Sequence, residues 1–268
     1  MVLFLLQFIS TVLVIGEVLA AAIHHFDSVS RGRTAGPSII RDYAEAALGN
    51  FLATLVALAL CPWAIIMHKR REFDPNGGPP ICLVSGTLWG WGGPMYGLYK
   101  SLRAKGARNV YILPVAFSRG AIDRMADNLC EELERFSSLI GGEKPYLVAH
   151  GIAGLAARLG PSQSPGRYCQ ATFTVATPHH GTRLAVFMPG QLGFQLQPGS
   201  PLLQALNHEP GDCVLTFHSP LDSQIIPAES ACFGQRVSSL GGSGHLSILW
   251  NAQLCEQILS EITSAPSS

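Results

Sequence analysis

Leu147-Val-Ala-His-Gly-Ile-Ala-Gly-Leu-Ala-Ala-Arg158 decides how this 268-residue chain is read. Tyr146-Leu-Val-Ala149 is a short apolar run suited to a buried parallel strand, and a helical stretch through Arg158 follows at once. The same grammar repeats outward on both sides. Ile81-Cys-Leu-Val84, Val110-Tyr-Ile-Leu-Pro-Val115, Ala171 to Ala176, Asp212 to Phe217 and Gln235 to Ser238 read as further strands. Tyr96 to Lys105 and Leu246 to Ile262 read as helices. Ile122 to Leu139 does too, with apolar residues at 122, 125, 126, 129, 133 and 136 in helical spacing. Strands alternating with helices predict an α/β fold with a mainly parallel sheet. No internal repeat is present.

The front of the chain is different in kind. Val2 to Ile23 and Ala46 to Met67 are apolar runs of 22 residues each, and roughly 20 helical residues span a bilayer core. The second run ends in Pro62-Trp63 and then His68-Lys69-Arg70-Arg71, the look of a membrane interface and its cytoplasmic side. Two transmembrane helices, at about 2–23 and 46–67, are therefore expected. No Lys or Arg precedes the first apolar core, which argues against a cleaved signal peptide. With two crossings both chain ends share one side. Lys69, Arg70 and Arg71 plus the N-terminal amine, set against Arg31, Arg33 and Arg41 of the connecting loop, favour by a slight excess the cytoplasmic side for the soluble part. Glu17 is the one carboxylate within either run. It either lies near the far interface or is protonated, or it makes a polar contact with another helix or another subunit.

Composition agrees with a partly membrane-bound chain. Apolar residues make up 47% and charged residues only 13%, and eighteen Lys and Arg balance eighteen Asp and Glu. Disorder is excluded, because it needs low hydrophobicity and high charge. Nucleic-acid binding is disfavoured, because no basic excess exists to neutralise phosphates. The seven cysteines form no CxxC pair, so neither a zinc site nor a disulfide framework is indicated. Residues 1–72 are expected as a membrane anchor and the turn-rich Phe73-Asp-Pro-Asn-Gly-Gly-Pro-Pro80 as a linker. Residues 81–262 would then form the α/β domain and 263–268 a tail.

Four stretches resemble α/β-hydrolases of the bacterial lipase and esterase type, over about residues 80 to 262. Strand, sharp turn and helix at 147–158 resemble the nucleophile elbow, whose pattern is G-x-S-x-G. Thr177-Pro-His-His-Gly-Thr182 is similar to the lipase T-P-H-H-G-T segment. Ser219-Pro-Leu-Asp-Ser-Gln-Ile-Ile-Pro227 resembles the loop carrying the triad acid, which would be Asp222. Gly244-His-Leu-Ser247 resembles the loop carrying the base, which would be His245. The order elbow, acid, base is the hydrolase order. The resemblance implies an oxyanion hole from the backbone N–H groups of Thr87 and Ile152. It also implies that His179 and His180 are structural, and their side chains diverge from adjacent positions, so no metal and no cofactor are expected.

The departure is at the centre. Gly151 stands where the resemblance requires the serine, and no Ser, Cys or Asp lies between Ala149 and Arg158. Covalent acyl transfer needs a side-chain oxygen that the histidine can deprotonate. Ser85 is a second departure, at a position where the family usually has His. Ala149 and Ala153 replace the flanking elbow glycines, and Ala153 is expected to crowd the strand–helix approach. Trp89 and Trp91, in the glycine-rich Ser85 to Pro94 loop, are candidates for an apolar pocket wall or for loop packing. Phe187 to Leu206 could form a small cap. The expected function is a membrane-anchored pseudohydrolase with Asp222 and His245 vestigial. It would serve as an accessory, scaffolding or binding subunit among membrane lipids and other membrane protein subunits. The alternative is an active carboxylic ester hydrolase, by an altered mechanism or with glycine introduced in place of a native serine.

Overall fold

Six short runs form one sheet: β1 (Ile81–Ser85), β2 (Val110–Ile112), β3 (Tyr146–His150), β4 (Thr172–Val175), β5 (Val214–His218) and β6 (Val237–Ser239). The structure is a computed structural model that describes residues 2–32, 37–68, 72–86, 92–115, 121–164, 166–208 and 214–264. Side chains of 2–13, 37–40, 61–68 and 214 fall outside that description. The strand order is β2-β1-β3-β4-β5-β6 and every pairing is parallel. Parallel strands need crossovers, and helices supply most of them: α3 (Tyr96–Ala104), α4 (Ile122–Leu139), α5 (Ile152–Leu159), α6 (Gly190–Leu196) and α7 (Pro201–His208). Helix α8 (Ala252–Ser264) closes the domain.

Both faces of the sheet are covered, which is why its strands read as unbroken apolar runs. Successive side chains alternate between two cores. Cys82, Val84, Leu147 and Ala149 pack under α4, α5, α6 and α7, while Ile81, Leu83, Val148 and Phe173 pack under α3 and α8. Two elements differ from the sequence reading. Strand β2 stops at Ile112 rather than Val115: Leu113 N–H still donates to Leu83 O, but Pro114 has no N–H to continue the ladder. The closing helix begins at Ala252 rather than Leu246. Residues 247–250 form a separate 3₁₀ turn, and Asn251 Oδ1 caps the helix by accepting from Gln253 N at 2.9 Å.

The apolar runs form α1 (Val2–Ser30) and α2 (Pro37–His68), each extending past its run toward their connection. His24 Nδ1 and Tyr43 Oη join the two helices there at 2.6 Å. Among the described residues, one segment, Arg41–Leu60, is long and apolar enough to cross a membrane. The helix pair also packs on the α/β domain. A β-carbon at Gly49 would lie 3.5 Å from the Ser247 side chain, and one at Gly244 would lie 3.0 Å from the Ala46 carbonyl and 3.1 Å from Asn50 Cβ. Asp27 forms ion pairs with Arg31 and, across to the domain, with Arg183. The 73–80 stretch is pinned by Asn109, whose Nδ2 donates to Asp74 O and Gly78 O.

Candidate active site

Strand order reverses between β1 and β3, since the chain runs from β1 outward to β2 and then returns to β3 on the other side. A crevice opens at the carboxyl ends of the strands at such a point. Ser85 and His150 are register partners there. Gly151 follows β3 and adopts φ +63°, ψ −132°, a conformation sparsely populated by residues with a β-carbon. Its N–H donates to Val175 O at 2.9 Å, and its carbonyl accepts from Gly154 N at 3.0 Å to start α5. A β-carbon at Gly151 would point at His245, 3.5 Å from Nε2 and 3.9 Å from Cε1. The strand-to-helix approach rests on two other glycines. A β-carbon at Gly154 would lie 2.0 Å from Thr177 Oγ1, and one at Gly86 would lie 2.6 Å from Ala153 N. Ala153 itself is fully buried in the core.

The two loops beyond β5 and β6 bring acid and base together. Asp222 Oδ2 accepts from His245 Nδ1–H at 2.8 Å. The other carboxylate oxygen accepts from the backbone N–H groups of Gln224 (2.9 Å) and Ile225 (3.1 Å). Ser219 Oγ donates to Ser243 O at 2.5 Å and ties the acid loop to the base loop. Burial opposes protonation of His245, but the Asp222 carboxylate outweighs it by charge and hydrogen bond, with Glu17 adding a weaker pull, so the imidazole titrates above its usual range. His245 Nε2 makes no hydrogen bond to any described residue.

His150 explains part of the Ser85 departure. Its Nε2–H donates to the carbonyl of His245 at 2.9 Å, and Ser85 Oγ donates to its Nδ1 at 3.4 Å. Burial, then the neighbouring His245, pushes its pKa down to about 3, so it stays neutral. His179 and His180 diverge, as their adjacency requires. His179 accepts from the Arg158 guanidinium at Nδ1 and donates from Nε2 to Thr174 Oγ1, both at 3.1 Å. His180 Nε2 donates to Cys232 O at 3.1 Å. These contacts fasten the 177–182 loop to α5 and β4. Arg158, buried over the Phe233 ring, is lowered to about 10 by desolvation.

A cavity of about 380 Å³ extends from Gly151 and His245 past Ile152, Met188, Leu196 and Ile225. Thr54, Ala57 and Leu58 of α2 form another part of its wall. The hydroxyls that line it are occupied: Ser85 by His150, Thr54 by Asn50 O (2.8 Å), Thr182 by Gln224 O (3.0 Å). Thr87, Trp89 and Trp91 lie outside the described residues. Of the 187–206 stretch, Met188 and Leu196, the latter at the end of α6, line the cavity.

The sequence reading missed this helical wall. Asn50, fully buried, donates from Nδ2 to Glu17 Oε1 and accepts at Oδ1 from Leu246 N, both at 2.5 Å. Glu17 Oε2 accepts from Ser223 Oγ at 3.2 Å. Two polar residues within the apolar runs thus reach the neighbours in sequence of both Asp222 and His245. The available signal was polar interruption, Glu17 in one run and Asn50 in the other, among several polar residues in each.

No protein-family model and no curated protein matches the sequence. Solved structures do match in fold. Aspergillus fumigatus lipase B superposes with TM-score 0.61 at 18% identity, covering 72% of this chain and 55% of its own. The chain therefore spans about half the length of that lipase. The mature Bacillus licheniformis lipase BlEst2 gives 0.55 at 14% identity, covering 74% of this chain and 97% of its own. The product of the Listeria innocua gene lin2722 gives 0.51 at 13%, covering 71% and 96%. Residues of this chain's sheet and helices have the α/β-hydrolase fold, as found in lipases and esterases.

Proposed function

We propose that this chain is a membrane-attached, lipase-fold protein that does not hydrolyse esters and serves as a binding or accessory component beside other membrane proteins. One observation carries the reading. Gly151 keeps the elbow conformation, and the position of its absent β-carbon faces His245 Nε2 at 3.5 Å, so a base faces the space that an attacking side chain would fill. Asp222 and His245 then act as a tie between two loops.

The test is labelling of the full-length protein in detergent with a serine-directed fluorophosphonate, alongside turnover of a short-chain ester. No labelling and no turnover are expected. Gly151→Ser is expected to label, slowly, since the backbone donors that must polarise the carbonyl are no longer selected. Stoichiometric labelling of the unsubstituted protein would overturn the reading. The rival, hydrolysis by water activated at His245, draws support from the free Nε2 and the intact 2.8 Å pair. It requires turnover that His245→Gln abolishes.

Membrane attachment is assigned to the helix pair. Val14, Ile15, Val18, Leu19, Leu52 and Val56 are exposed large apolar side chains on its outer face, and a continuous surface of this kind marks a lipid or protein contact. Hydropathy expects two complete crossings, with the α1–α2 connection across the membrane from the domain. The ion pair of Asp27 with Arg183 favours a hairpin lying along the membrane, because it brings the connection end of α1 to the domain. A protease site inserted after Gly32, in sealed vesicles, separates the two. Cleavage from the side of the domain supports the in-plane hairpin, and cleavage from the opposite side supports two crossings.

A further inference from the structure

Helix α2 has two working faces. Thr54, Ala57 and Leu58 line the cavity, while Leu48, Leu52, Leu55 and Val56 are exposed on its outer side. Leu58 belongs to both, being a lining residue that is 42% exposed, so the cavity opens beside it. The other lip has the same character. Met188 and Leu196 line the cavity, and Val186, Phe187 and Phe194 next to them in sequence are exposed. The Asp27–Arg183 ion pair brings α1, with its exposed Phe26 and Val29, to that lip. An apolar chain could pass from lipid into this cavity without crossing water.

The inner end is polar but narrow in its choices. His245 Nε2 is unpaired among the described residues. Ile152 N–H, at the first residue of α5, likewise donates to no described residue and lies where helix N-termini favour negative charge. The lining hydroxyls already donate elsewhere, and of the other polar side chains on the described wall, Gln224 is uncharged and His150 is neutral and bonded at both ring nitrogens. The nearby carboxylates do not compete for these donors: Asp222 is bonded by His245 Nδ1 and two backbone N–H groups, and Glu17 by Asn50 and Ser223. The volume of about 380 Å³ lies at the lower end of ligand pockets, roughly 300–1,000 Å³.

Resting on the reading that the elbow lacks a nucleophile, we infer that this cavity holds a single-chain fatty acid admitted from the bilayer beside Leu58, its carboxylate seated in the space a nucleophile side chain would fill. The carboxylate accepts from His245 and from the Ile152 N–H, and the chain runs between α2 and the 188–196 segment. Glycine at 151 is then a gain for binding, since a side chain there would occupy the carboxylate's seat. Among the described lining residues a phosphate or sugar head finds no free hydroxyl donor, and a neutral alcohol forgoes the charge that strengthens a carboxylate's bond to the histidine.

The experiment uses the full-length protein in phosphatidylcholine vesicles and a photoreactive palmitate analogue bearing an alkyne. Crosslinks are expected within residues 54–58 and 188–196. Palmitate should compete about tenfold or more better than hexadecanol or methyl palmitate, the difference a charge-assisted hydrogen bond makes. Ala57→Phe, which narrows the cavity, should cut labelling by about tenfold or more, while Leu48→Phe on the outer face leaves it unchanged. Equal competition by hexadecanol overturns the carboxylate, and undiminished labelling of a folded Ala57→Phe overturns the cavity. Fluorophosphonate reactivity of the same sample is read separately. Palmitate labelling in a protein that also reacts sinks only the inert reading, and no palmitate labelling in an unreactive protein sinks only this one.

Discussion

On the sheet side of the cavity, position is set by backbone. Gly151 is held by the ladder to Val175 and by the first turn of α5, and Asp222 by two N–H groups of its own loop. On the helix side, position is set by side chains. Asn50 and Glu17 are the polar atoms through which α1 and α2 grip the acid and base loops. The contrast explains how the site keeps its shape with glycine at its centre. Nothing on the sheet side leaned on the residue at 151, so glycine leaves the elbow standing and relieves strain of about 1–3 kcal/mol that a β-carbon there would carry. The helix side has no such freedom.

The sharpest break of the sheet side is therefore at Gly154, three residues on. Gly154→Val places a side chain where Thr177 Oγ1 already lies 2.0 Å from the β-carbon position. Overpacking against backbone-anchored neighbours costs about 3 kcal/mol or more, enough for failure to fold or a melting temperature lowered by about 6–12 °C. Gly151→Ala meets only His245 at 3.5 Å and should lose no more than the strain. Equal losses at the two glycines, by thermal melting in detergent, would mean that the elbow is not held as described.

The helix side breaks through Asn50. Asn50→Leu strands the Leu246 N–H and leaves the Glu17 carboxylate with Ser223 alone. Each unsatisfied buried group costs about 1–3 kcal/mol. Faster amide exchange is expected in segments 222–226 and 244–247, beyond any change in overall stability. Glu17→Leu combined with Asn50→Leu should be less destabilising than the sum of the two, because removing both members of a buried polar pair spares the penalty of an orphan. Strict additivity would show that the two residues do not share the latch.

The same contrast decides what the sequence could show. Strands announced themselves as apolar runs, but the run on to Val115 hid the stop that Pro114 imposes on β2. The elbow, acid and base were legible because backbone-set positions recur as fixed motifs, and the structure brings Gly151, Asp222 and His245 together in the implied arrangement. The docking of α1 and α2 was not legible. Hydropathy measures the cost of leaving water and does not distinguish lipid from a protein wall as the new surroundings. Asn50 counted only as an interruption of an apolar run, and its partners lie 33 and 196 positions away. Of the readings open for Glu17, the contact with another helix is seen, with Asn50 of α2, and a contact with Ser223 of the domain comes with it.

Acid titration sharpens the comparison within the sheet side itself. His150 and His179 are buried neutral with lowered pKa values, so the unfolded chain binds more protons as pH falls below about 6.5, and stability declines. His245 is raised and acts oppositely: its contribution is full below the usual histidine value and is lost as pH rises through the folded value. His150→Gln should remove about 1 kcal/mol of the stability lost between roughly pH 6.5 and 5.5. His245→Gln should instead flatten the decline on the alkaline side. A His150→Gln variant as acid-sensitive as the parent would mean that His150 is protonated in the folded protein.

The smallest expected effect tests whether α1 is held by its latch or by its surface ion pairs. Arg183 is more than half exposed, and its partner Asp27 is buried but also paired with Arg31 at 2.9 Å. An exposed guanidinium in water contributes about 0–1 kcal/mol to such a pair, and here a second cation remains when it is removed. Arg183→Gln should therefore lower stability by less than about 1 kcal/mol, barely resolved as a shift in melting temperature. Removing Arg31 as well leaves Asp27 buried without a cation, and the double variant should lose clearly more than the two single losses together. That excess would appear as faster exchange at the connection end of α1, while segments 222–226 and 244–247 stay protected by Asn50 and Glu17. If the single Arg183→Gln variant already exposes both of those segments, the surface pair rather than the buried latch holds the helices to the domain.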